Sequence, residues 1–361
     1  MTSFAKLGFG LLTLALFGAG CIQFTGGGTE AAKLGVFKSI DSAKSFEHSV
    51  ALPTPQGVGS IASLGVRELV MDPSDRFALY LGTDENGLMY SYDGGAGWTQ
   101  VREAALREGR VRAVAVDPSD KCTVYATRGQ RLYKSEDCSR TFQSDTYVDP
   151  RQEVYLTDVE IDWFNSQVVY IANSEGEVHK SMNGGDTWQL VYRANGEIND
   201  LQIDVKDSRV LLAATAKRGV HRSGDGGVTW QRMLDDRLYP DLENIERTFE
   251  LEQDKSGSYT WVSTEYGLAL SRDQGQTWAP VVLITPPNQA VIHAMAVDAN
   301  NGAHLIYASG STLYVTEDAG VQWDTKRMPT TGLAGELLFD PSNAAVVYMG
   351  IAPVEKSPGI F

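Results

Sequence analysis

Short apolar runs that end in aspartate recur along almost the whole chain. Each is followed by a second apolar run, as in the pair LVMDP and ALYLGT. The aspartates that end the first runs are Asp72, Asp117, Asp162, Asp204, Asp254, Asp298 and Asp340. Runs of this length, bounded by turn residues and rich in β-branched side chains, predict strands rather than helices.

A second repeat runs in phase with the first. Its form is Ser-x-Asp-x-Gly-x-Thr-Trp, and we call each copy a box. The third position of the seven boxes is occupied by Asp41, Asp93, Asp137, Asn183, Asp225, Asp273 and Asp318, spaced 42 to 52 residues apart. This period fits four-stranded propeller blades. The chain is therefore predicted to be all-β, a seven-bladed β-propeller with four-stranded antiparallel blades.

The residue types of the box favour a structural role. An aspartate side chain can accept hydrogen bonds from nearby backbone amides, glycine permits positive φ, and tryptophan can pack between blades. The alternative is calcium binding by the box carboxylates. That requires several carboxylates to converge, and boxes on separate blades lie too far apart.

The two chain ends are predicted to share one blade. The first box, within residues 35–46, lacks an Asp-terminated strand before it, and the last repeat, residues 333–349, has two strands but no box. Together they supply four strands, and pairing them removes two exposed sheet edges. The propeller is therefore assigned to residues 35–361.

Composition limits the partners of the protein. The 361 residues carry a formal net charge of −15, and the basic residues are dispersed. Nucleic acid and anionic membrane surfaces require clustered Lys and Arg, so neither is expected as a partner. Metal-ligand spacing, phosphate-binding glycine motifs and nucleophile elbows do not occur, so no metal or cofactor is predicted.

The N-terminus has the pattern of an export signal. Lys6 precedes an apolar run over residues 7–17, and Gly18-Ala19-Gly20 precede Cys21, which resembles a bacterial lipobox. We predict a lipoprotein-type signal peptide over residues 1–20, lipidation of Cys21 and a flexible tether over residues 21–34. Ordinary cleavage and release is the alternative. The expected location is the bacterial cell envelope, lipid-anchored on the outer side of the cytoplasmic membrane or in the periplasm or outer membrane.

The two remaining cysteines lie in one repeat. Cys122 opens the second strand and Cys138 lies in the box turn, so antiparallel pairing brings them together. An oxidising compartment then favours a disulfide. Two free buried thiols are the alternative.

The inner strands place acidic residues at one equivalent position, four residues before the strand-ending aspartate. Five of the seven repeats have a carboxylate there: Glu68, Asp158, Asp200, Glu250 and Glu336. Inner strands line the central channel, where such carboxylates repel one another unless donors compensate. The neighbouring candidates for donors are Arg67, Arg112 and His293. The ring is either a hydrogen-bonded structural feature or a site for a cation or basic ligand.

The longest loop, residues 233–246, combines charged and aromatic side chains. Its candidate partner-binding residues are Asp235, Asp236, Arg237, Tyr239 and Asp241. Binding sites are often found on such loops. A solvated acidic loop is the alternative.

The segment VDPSDKCTVYATRGQRLYKSEDCSRTF resembles the Asp-box (BNR-repeat) propellers. That family includes photosystem II assembly and stability factors, the sortilin ectodomain, sialidases and xyloglucanases, so the resemblance is specific for fold and weak for function. The Arg-Ile-Pro motif of sialidases is absent, and xyloglucanases typically join two propellers. We expect a monomeric, non-catalytic scaffold lipoprotein that recognises a protein or glycan partner at the membrane, similar in role to the photosystem assembly factors. The alternative is a glycoside hydrolase, sialidase-like or xyloglucanase-like, acting on an extracellular glycan.

Overall fold

Seven four-stranded antiparallel sheets surround a central channel in the computed structural model, which describes residues 32–289, 291–292 and 294–352. The signal peptide, Cys21, most of the tether and His293 lie outside these ranges and remain predictions. Within the described residues, no helix is long and apolar enough to cross a bilayer.

The strands follow the predicted repeat. The chain starts with β1 (Gly35–Ser39) and β2 (Glu47–Ser49), then a separate hairpin of β3 (Ala51–Thr54) and β4 (Gly57–Ser60). The second blade is β5 (Val66–Asp72), β6 (Asp75–Thr83), β7 (Leu88–Ser91) and β8 (Thr99–Gln100), followed by a 3-10 turn at Ala104–Leu106. The third is β9 (Val111–Asp117), β10 (Asp120–Arg128), β11 (Arg131–Ser135) and β12 (Gln143–Val148). The fourth is β13 (Leu156–Ile161), β14 (Val169–Asn173), β15 (Glu177–Ser181) and β16 (Gln189–Arg193).

The remaining blades have the same order from the channel outward. The fifth is β17 (Ile198–Ile203), β18 (Leu211–Thr215), β19 (Gly219–Ser223) and β20 (Gln231–Leu234). The sixth is β21 (Thr248–Gln253), β22 (Thr260–Thr264), β23 (Leu268–Ser271) and β24 (Ala279–Pro280). The seventh is β25 (Ala294–Asp298), β26 (Asn301–Ser309), β27 (Thr312–Thr316) and β28 (Asp324–Arg327). The chain then forms β29 (Leu333–Asp340) and β30 (Asn343–Ala352).

The ring closes through a blade shared by both chain ends. Its sheet order is β29, β30, β1, β2, and β1 pairs with β30 from Gly35 opposite Ile351 to Ser39 opposite Val347. The innermost strands contact one another in cyclic order, from β5 through β29 and back to β5. The predicted seven-bladed fold and its closure are confirmed.

The hydrophobic core is divided among the seams between blades. Trp98 of one box is fully buried, and its indole N–H donates to the backbone oxygen of Ser49 in the preceding blade at 2.9 Å. In other seams a tyrosine hydroxyl donates to a box glycine of the following blade, as from Tyr125 to Gly184 at 2.8 Å. Aromatic residues thus supply apolar contact and a directed hydrogen bond to each such seam.

Each box aspartate or asparagine holds its own hairpin. Asp225, for example, accepts hydrogen bonds from the Ser223 hydroxyl at 2.8 Å and from the Thr229 N–H at 2.8 Å. The turn is made by Gly226 and Gly227 at φ 72° and 91°, a region that glycine occupies without strain. Hydrogen bonds from Thr229 and Ser223 favour the charged carboxylate and lower the pKa of Asp225 to about 2.

A disulfide joins Cys122 to Cys138, which confirms the predicted pairing. The Cys138 N–H also donates to the Cys122 carbonyl at 3.1 Å. The bond therefore links the start of β10 to the box turn that follows β11.

Candidate functional site

The central channel contains a cavity of about 390 Å³ that is rich in acidic side chains. Seven carboxyl groups line it, and we call them the channel carboxylates: Glu68, Asp158, Glu160, Asp200, Glu250, Glu252 and Glu336. All seven residues are only partly exposed.

The five residues predicted from the repeat are brought together, and two more join them. Glu160 and Glu252 follow Asp158 and Glu250 by two positions in β13 and β21. Because side chains two apart on a strand point to the same face, each pair occupies successive layers of the channel. That spacing was the available signal for Glu160 and Glu252, although the repeat itself did not identify them.

A recurring β-bulge precedes the acidic position. In β13, Leu156 lies opposite Asn173 and Asp158 lies opposite Ala172, so Thr157 is the extra residue. The same insertion places Arg67, Asn199 and Gly335 before Glu68, Asp200 and Glu336. Such bulges bend the strand and redirect the following side chain.

Backbone amides of the next blade bind several channel carboxylates. Asp158 accepts a hydrogen bond from the Leu201 N–H at 2.6 Å, and Glu250 accepts one from the Met295 N–H at 2.9 Å. Asp200 is bound in the same way by Leu251. In each case the donor directly follows the equivalent position of the next inner strand. These carboxylates therefore tie neighbouring blades together.

Burial and mutual repulsion raise the pKa values of the channel carboxylates. Desolvation raises the pKa of Asp158 to about 6 and that of Glu252 to about 8. Desolvation, followed by repulsion from neighbouring carboxylates, raises the other five pKa values well above their ordinary range: Glu68, Glu160, Asp200, Glu250 and Glu336. Glu252 therefore keeps its proton near neutral pH.

Asp158 and Asp200 influence each other across neighbouring blades. After the larger effect of desolvation, which raises both pKa values, the interaction between the two carboxyl groups lowers the pKa of Asp158 and raises that of Asp200. Two carboxyl groups that interact in this way titrate as a pair.

The two arginines that line the channel cavity, Arg67 and Arg112, contact groups other than the channel carboxylates. The Arg67 guanidinium binds Asp84 at 2.6 Å, and Arg110 binds the same carboxylate at 2.9 Å. The Arg112 guanidinium lies 3.9 Å from the ring centre of Tyr155. Across the part of the chain that the structure describes, no ion pair includes a channel carboxylate.

Glu177 is a buried carboxylate outside the channel whose negative charge is stabilised by neighbouring donors. Burial favours its neutral form, but hydrogen bonds from Arg151, Asn173 and Arg193 outweigh this and lower its pKa to about 2. Within the described part of the chain, the channel carboxylates have no such cationic partners. Their unbalanced charge is therefore a local property of the channel.

One neutral polar group in the channel wall lacks a partner among the described residues. Thr157 lines the cavity and is only 9% exposed, and its hydroxyl oxygen is buried and makes no hydrogen bond within those residues. Buried hydroxyl groups are usually paired, because desolvation without a hydrogen bond is costly.

A second cavity of about 320 Å³ opens on the face that carries the boxes. It shares Glu160 and Glu252 with the channel cavity, and its rim includes Trp163, whose side chain is 44% exposed. The two cavities therefore meet at the lower layer of channel carboxylates.

In the charged loop of residues 233–246, some of the predicted partner-binding side chains are used in contacts within the protein. Asp235 is 1% exposed and is bound by the Arg232 and Arg237 guanidinium groups. The Tyr239 hydroxyl accepts a hydrogen bond from the Trp278 backbone N–H at 2.9 Å. The exposed members of the predicted set are Asp236, Arg237 and Asp241. A partner would therefore contact the loop through these three.

The described residues offer neither a metal site nor box aspartates that reach the channel. Among residues 32–289, 291–292 and 294–352, no group of three or more His, Cys, Asp or Glu side chains is arranged to hold a metal ion. The box aspartates lie in their hairpins, away from the channel cavity.

Comparison with known proteins gives fold relatives only. No family model and no curated protein matches the chain. Among solved structures, the GH74 enzyme of Niastella koreensis matches with a TM-score of 0.62 and 18% identity, over 80% of this chain and 51% of that one. The GH74 xyloglucanase from Xanthomonas campestris matches with a TM-score of 0.64 and 17% identity, over 80% and 51%. YCF48 bound to D1 peptide matches with a TM-score of 0.62 and 14% identity, over 86% and 96%.

The solved structures differ in how much of their own length this chain matches. The chain spans about half the length of the GH74 structures, but nearly the whole of YCF48. At such low identity they establish the propeller fold and leave both a hydrolase and an assembly-factor role compatible with it.

Proposed function

We propose that this protein is a non-catalytic binding propeller that recognises a protein partner at the membrane of a bacterial cell envelope. Export and lipidation of Cys21 would hold it there. The observation that carries the proposal is the single closed ring, similar over almost its full length to a propeller whose structure contains a bound peptide.

The state of the channel carboxylates supports a binding role. Asp158, Asp200 and Glu250 each accept a backbone N–H from the adjacent blade. A glycosidase needs two carboxyl groups that flank a bond, about 5–9.5 Å apart, with access to substrate or water. The carboxyl groups of Asp158, Asp200 and Glu250 are occupied in this way and are poorly available for that work.

A specific feature nevertheless favours hydrolysis as a second candidate function. A general acid must keep its proton near neutral pH, and burial can produce such a carboxyl group. Desolvation raises the pKa of Glu252 to about 8, and this side chain reaches the cavity next to the exposed Trp163. A carboxyl group that is protonated near neutral pH is what the general acid of a glycosidase requires.

Two measurements on the full-length protein separate these functions. In-cell cross-linking followed by purification should yield one discrete partner protein. Incubation with a panel of polysaccharides should release no reducing sugar. Absence of any cross-linked protein would overturn the proposal. So would sugar release that disappears in Glu252→Gln but persists in Glu317→Gln, an exposed control in a box hairpin.

A further inference from the structure

We propose that the connection between the sixth and seventh blades rests on the lipid bilayer, so that the protein contacts the membrane through apolar side chains as well as through a lipid anchor. This connection lies on the face opposite the boxes, which we call the loop face. We call its residues 281–289 and 291–292 the apolar edge. The inference rests on the proposed function, because it takes Cys21 as the anchor site.

The apolar edge exposes aliphatic side chains where polar ones are expected. Val282 is 82% exposed, Ile284 57% and Val291 45%. Burial alternates along the first part of the edge, so Val281 and Leu283 pack into the core between the sixth and seventh blades while Val282 and Ile284 face outward. An extended segment with one buried face usually has polar residues on the other. The outward side chains of the edge therefore suit an apolar neighbour.

The apolar edge is held in a defined position on the loop face. The Val281 N–H donates to the Leu268 carbonyl at 2.9 Å, and the Asn288 N–H donates to the Tyr266 carbonyl at 3.2 Å. Both acceptors belong to the turn between β22 and β23 or adjoin it. Two consecutive prolines lie between these hydrogen bonds and fix φ. A surface ordered in advance loses little conformational entropy when it binds.

The loop face is neutral around the apolar edge and charged elsewhere. Residues 281–293, 309–312 and 328–332, which form its connections and turn from the sixth blade to the shared blade, contain no Asp, Glu, Lys or Arg. By contrast, residues 101–110 contain five such residues and residues 235–247 contain seven. Burying an unpaired charge is costly, so only the neutral sector can enter an apolar phase cheaply.

The charges that border the neutral sector favour a bilayer over a protein surface. Lys33 and Arg327 are exposed at its rim. Glu265, in the adjacent turn, is paired with Arg247 at 2.6 Å. Basic side chains beside an apolar surface are typical of proteins at the lipid headgroup boundary. The centre of a protein interface is instead enriched in aromatic residues and arginine, and the exposed centre of this edge consists of Val, Ile and Pro.

The N-terminal segment enters the fold beside the apolar edge. The Thr330 hydroxyl donates to the Lys33 carbonyl at 2.9 Å, in the connection that precedes the shared blade. A cavity of about 360 Å³ lies between this connection and the edge, with Val291 on one side and Leu333 on the other. The chain that leads back to Cys21 therefore begins at the neutral sector.

The length of that chain limits how far the neutral sector can lie from a membrane anchor. Ala32, the first described residue, follows Cys21 by eleven positions. A fully extended chain of this length spans at most about 40 Å. A lipid on Cys21 makes contact between the edge and the bilayer intramolecular, which raises the effective concentration of each for the other. A small apolar surface is then sufficient, and the box face stays available to a protein partner.

Fluorescence quenching by labelled lipids tests this contact on the lipidated full-length protein in phosphatidylcholine vesicles. Cys122 and Cys138 form a disulfide and Cys21 would carry the lipid, so an introduced cysteine is the single free thiol. An environment-sensitive fluorophore is attached at Val282→Cys or at Val228→Cys, a control in a box turn with 77% exposure. We expect the label at position 282 to shift to the blue and to lose at least half its emission when nitroxide-labelled lipid is included. The label at position 228 should change little.

A second substitution connects the quenching to the apolar edge. In the protein labelled at position 282, Ile284→Glu should reduce the quenching at least twofold, because it places a charge in the contact. Met182→Glu is the matched control, since Met182 is 62% exposed in a box turn, compared with 57% for Ile284. It should leave the quenching unchanged. Equal melting temperatures of the two variants in detergent show that the fold is intact.

Three results would overturn the inference: no quenching at position 282, equal quenching at positions 282 and 228, or quenching that Ile284→Glu does not reduce. A blue shift without lipid quenching would show that a second copy or another protein segment covers the edge, which also refutes it. Mass spectrometry of Cys21 separates this inference from the proposed function. A lipid-free Cys21 refutes the anchor and with it the proposed function. A lipidated Cys21 and a persistent cross-linked partner, with an unquenched label at position 282, refute the membrane contact alone.

Discussion

Replacing Glu252 by glutamine should stabilise the protein at neutral pH. Glu252 lies in the lower layer of the channel, where desolvation raises its pKa to about 8 from an ordinary value of 4.5. An acid with a raised folded-state pKa keeps its proton in the folded protein at a pH where the unfolded chain releases it. Stability is therefore lost as pH rises from 4.5 through 8, and the loss is absent below that window.

The two pKa values set the size of the effect. Linkage gives a penalty of about 3 kcal/mol at pH 7 and less than about 1 kcal/mol at pH 5. Water in the channel and proton sharing with neighbouring carboxylates reduce the penalty. We expect Glu252→Gln to recover about 1–3 kcal/mol at neutral pH, because glutamine keeps the shape of the protonated side chain without its acidity.

Thermal unfolding at two pH values provides the assay. Scanning calorimetry should show the melting temperature of the variant about 2–5 °C above that of the unmodified protein at pH 7.5, with little difference at pH 5. Glu317→Gln makes the same substitution in an exposed box hairpin and should change the melting temperature appreciably at neither pH. A lower melting temperature for Glu252→Gln at pH 7.5, or an equal gain at both pH values, would refute the reasoning.

Three further changes test other parts of the structure. Asp273→Ala should lower stability by about 1–3 kcal/mol in thermal unfolding, because its carboxylate accepts three hydrogen bonds in its hairpin; a loss no larger than that of the exposed Asp236→Ala would count against it. Reduction of the Cys122–Cys138 disulfide, whose cysteines are 16 residues apart, should cost about 3 kcal/mol in denaturant unfolding, and an unchanged midpoint would contradict this. Cys21→Ser should abolish incorporation of labelled fatty acid and move the protein from the membrane to the soluble fraction; a labelled, membrane-bound variant would refute lipidation at this cysteine.

The blades and their closure could be predicted because the evidence for them repeats. Each blade carries a strand-ending aspartate and a box at a regular interval, and one missing half at each chain end identified the shared blade. The repeat also identified the acidic position occupied by Glu68, Asp158 and Asp200, because an inner strand presents the same position to the channel in every blade.

Features outside the repeat could not be predicted. Glu160 and Glu252 were missed because the equivalent positions in other blades hold apolar or amide side chains. The position of the Arg67 guanidinium depends on Asp84, a loop residue that the fold brings close to it. Asp235 is buried because the loop around it folds back onto arginines, which depends on loop conformation rather than on any period. Long-range contacts of single side chains leave no periodic trace in a sequence.

Infrared difference spectroscopy of the channel tests the account most directly. Protonated carboxylic acids have a carbonyl band distinct from the bands of carboxylates, and isotope-labelled glutamate and aspartate identify it. At pH 7 the unliganded protein should show this band. Raising the pH through 8 should reduce it and increase the carboxylate bands, with a smaller change in the Glu160→Gln, Glu252→Gln variant. A protein without protonated carboxyl groups at pH 7, or a band that persists unchanged in the Glu160→Gln, Glu252→Gln variant, would contradict the account.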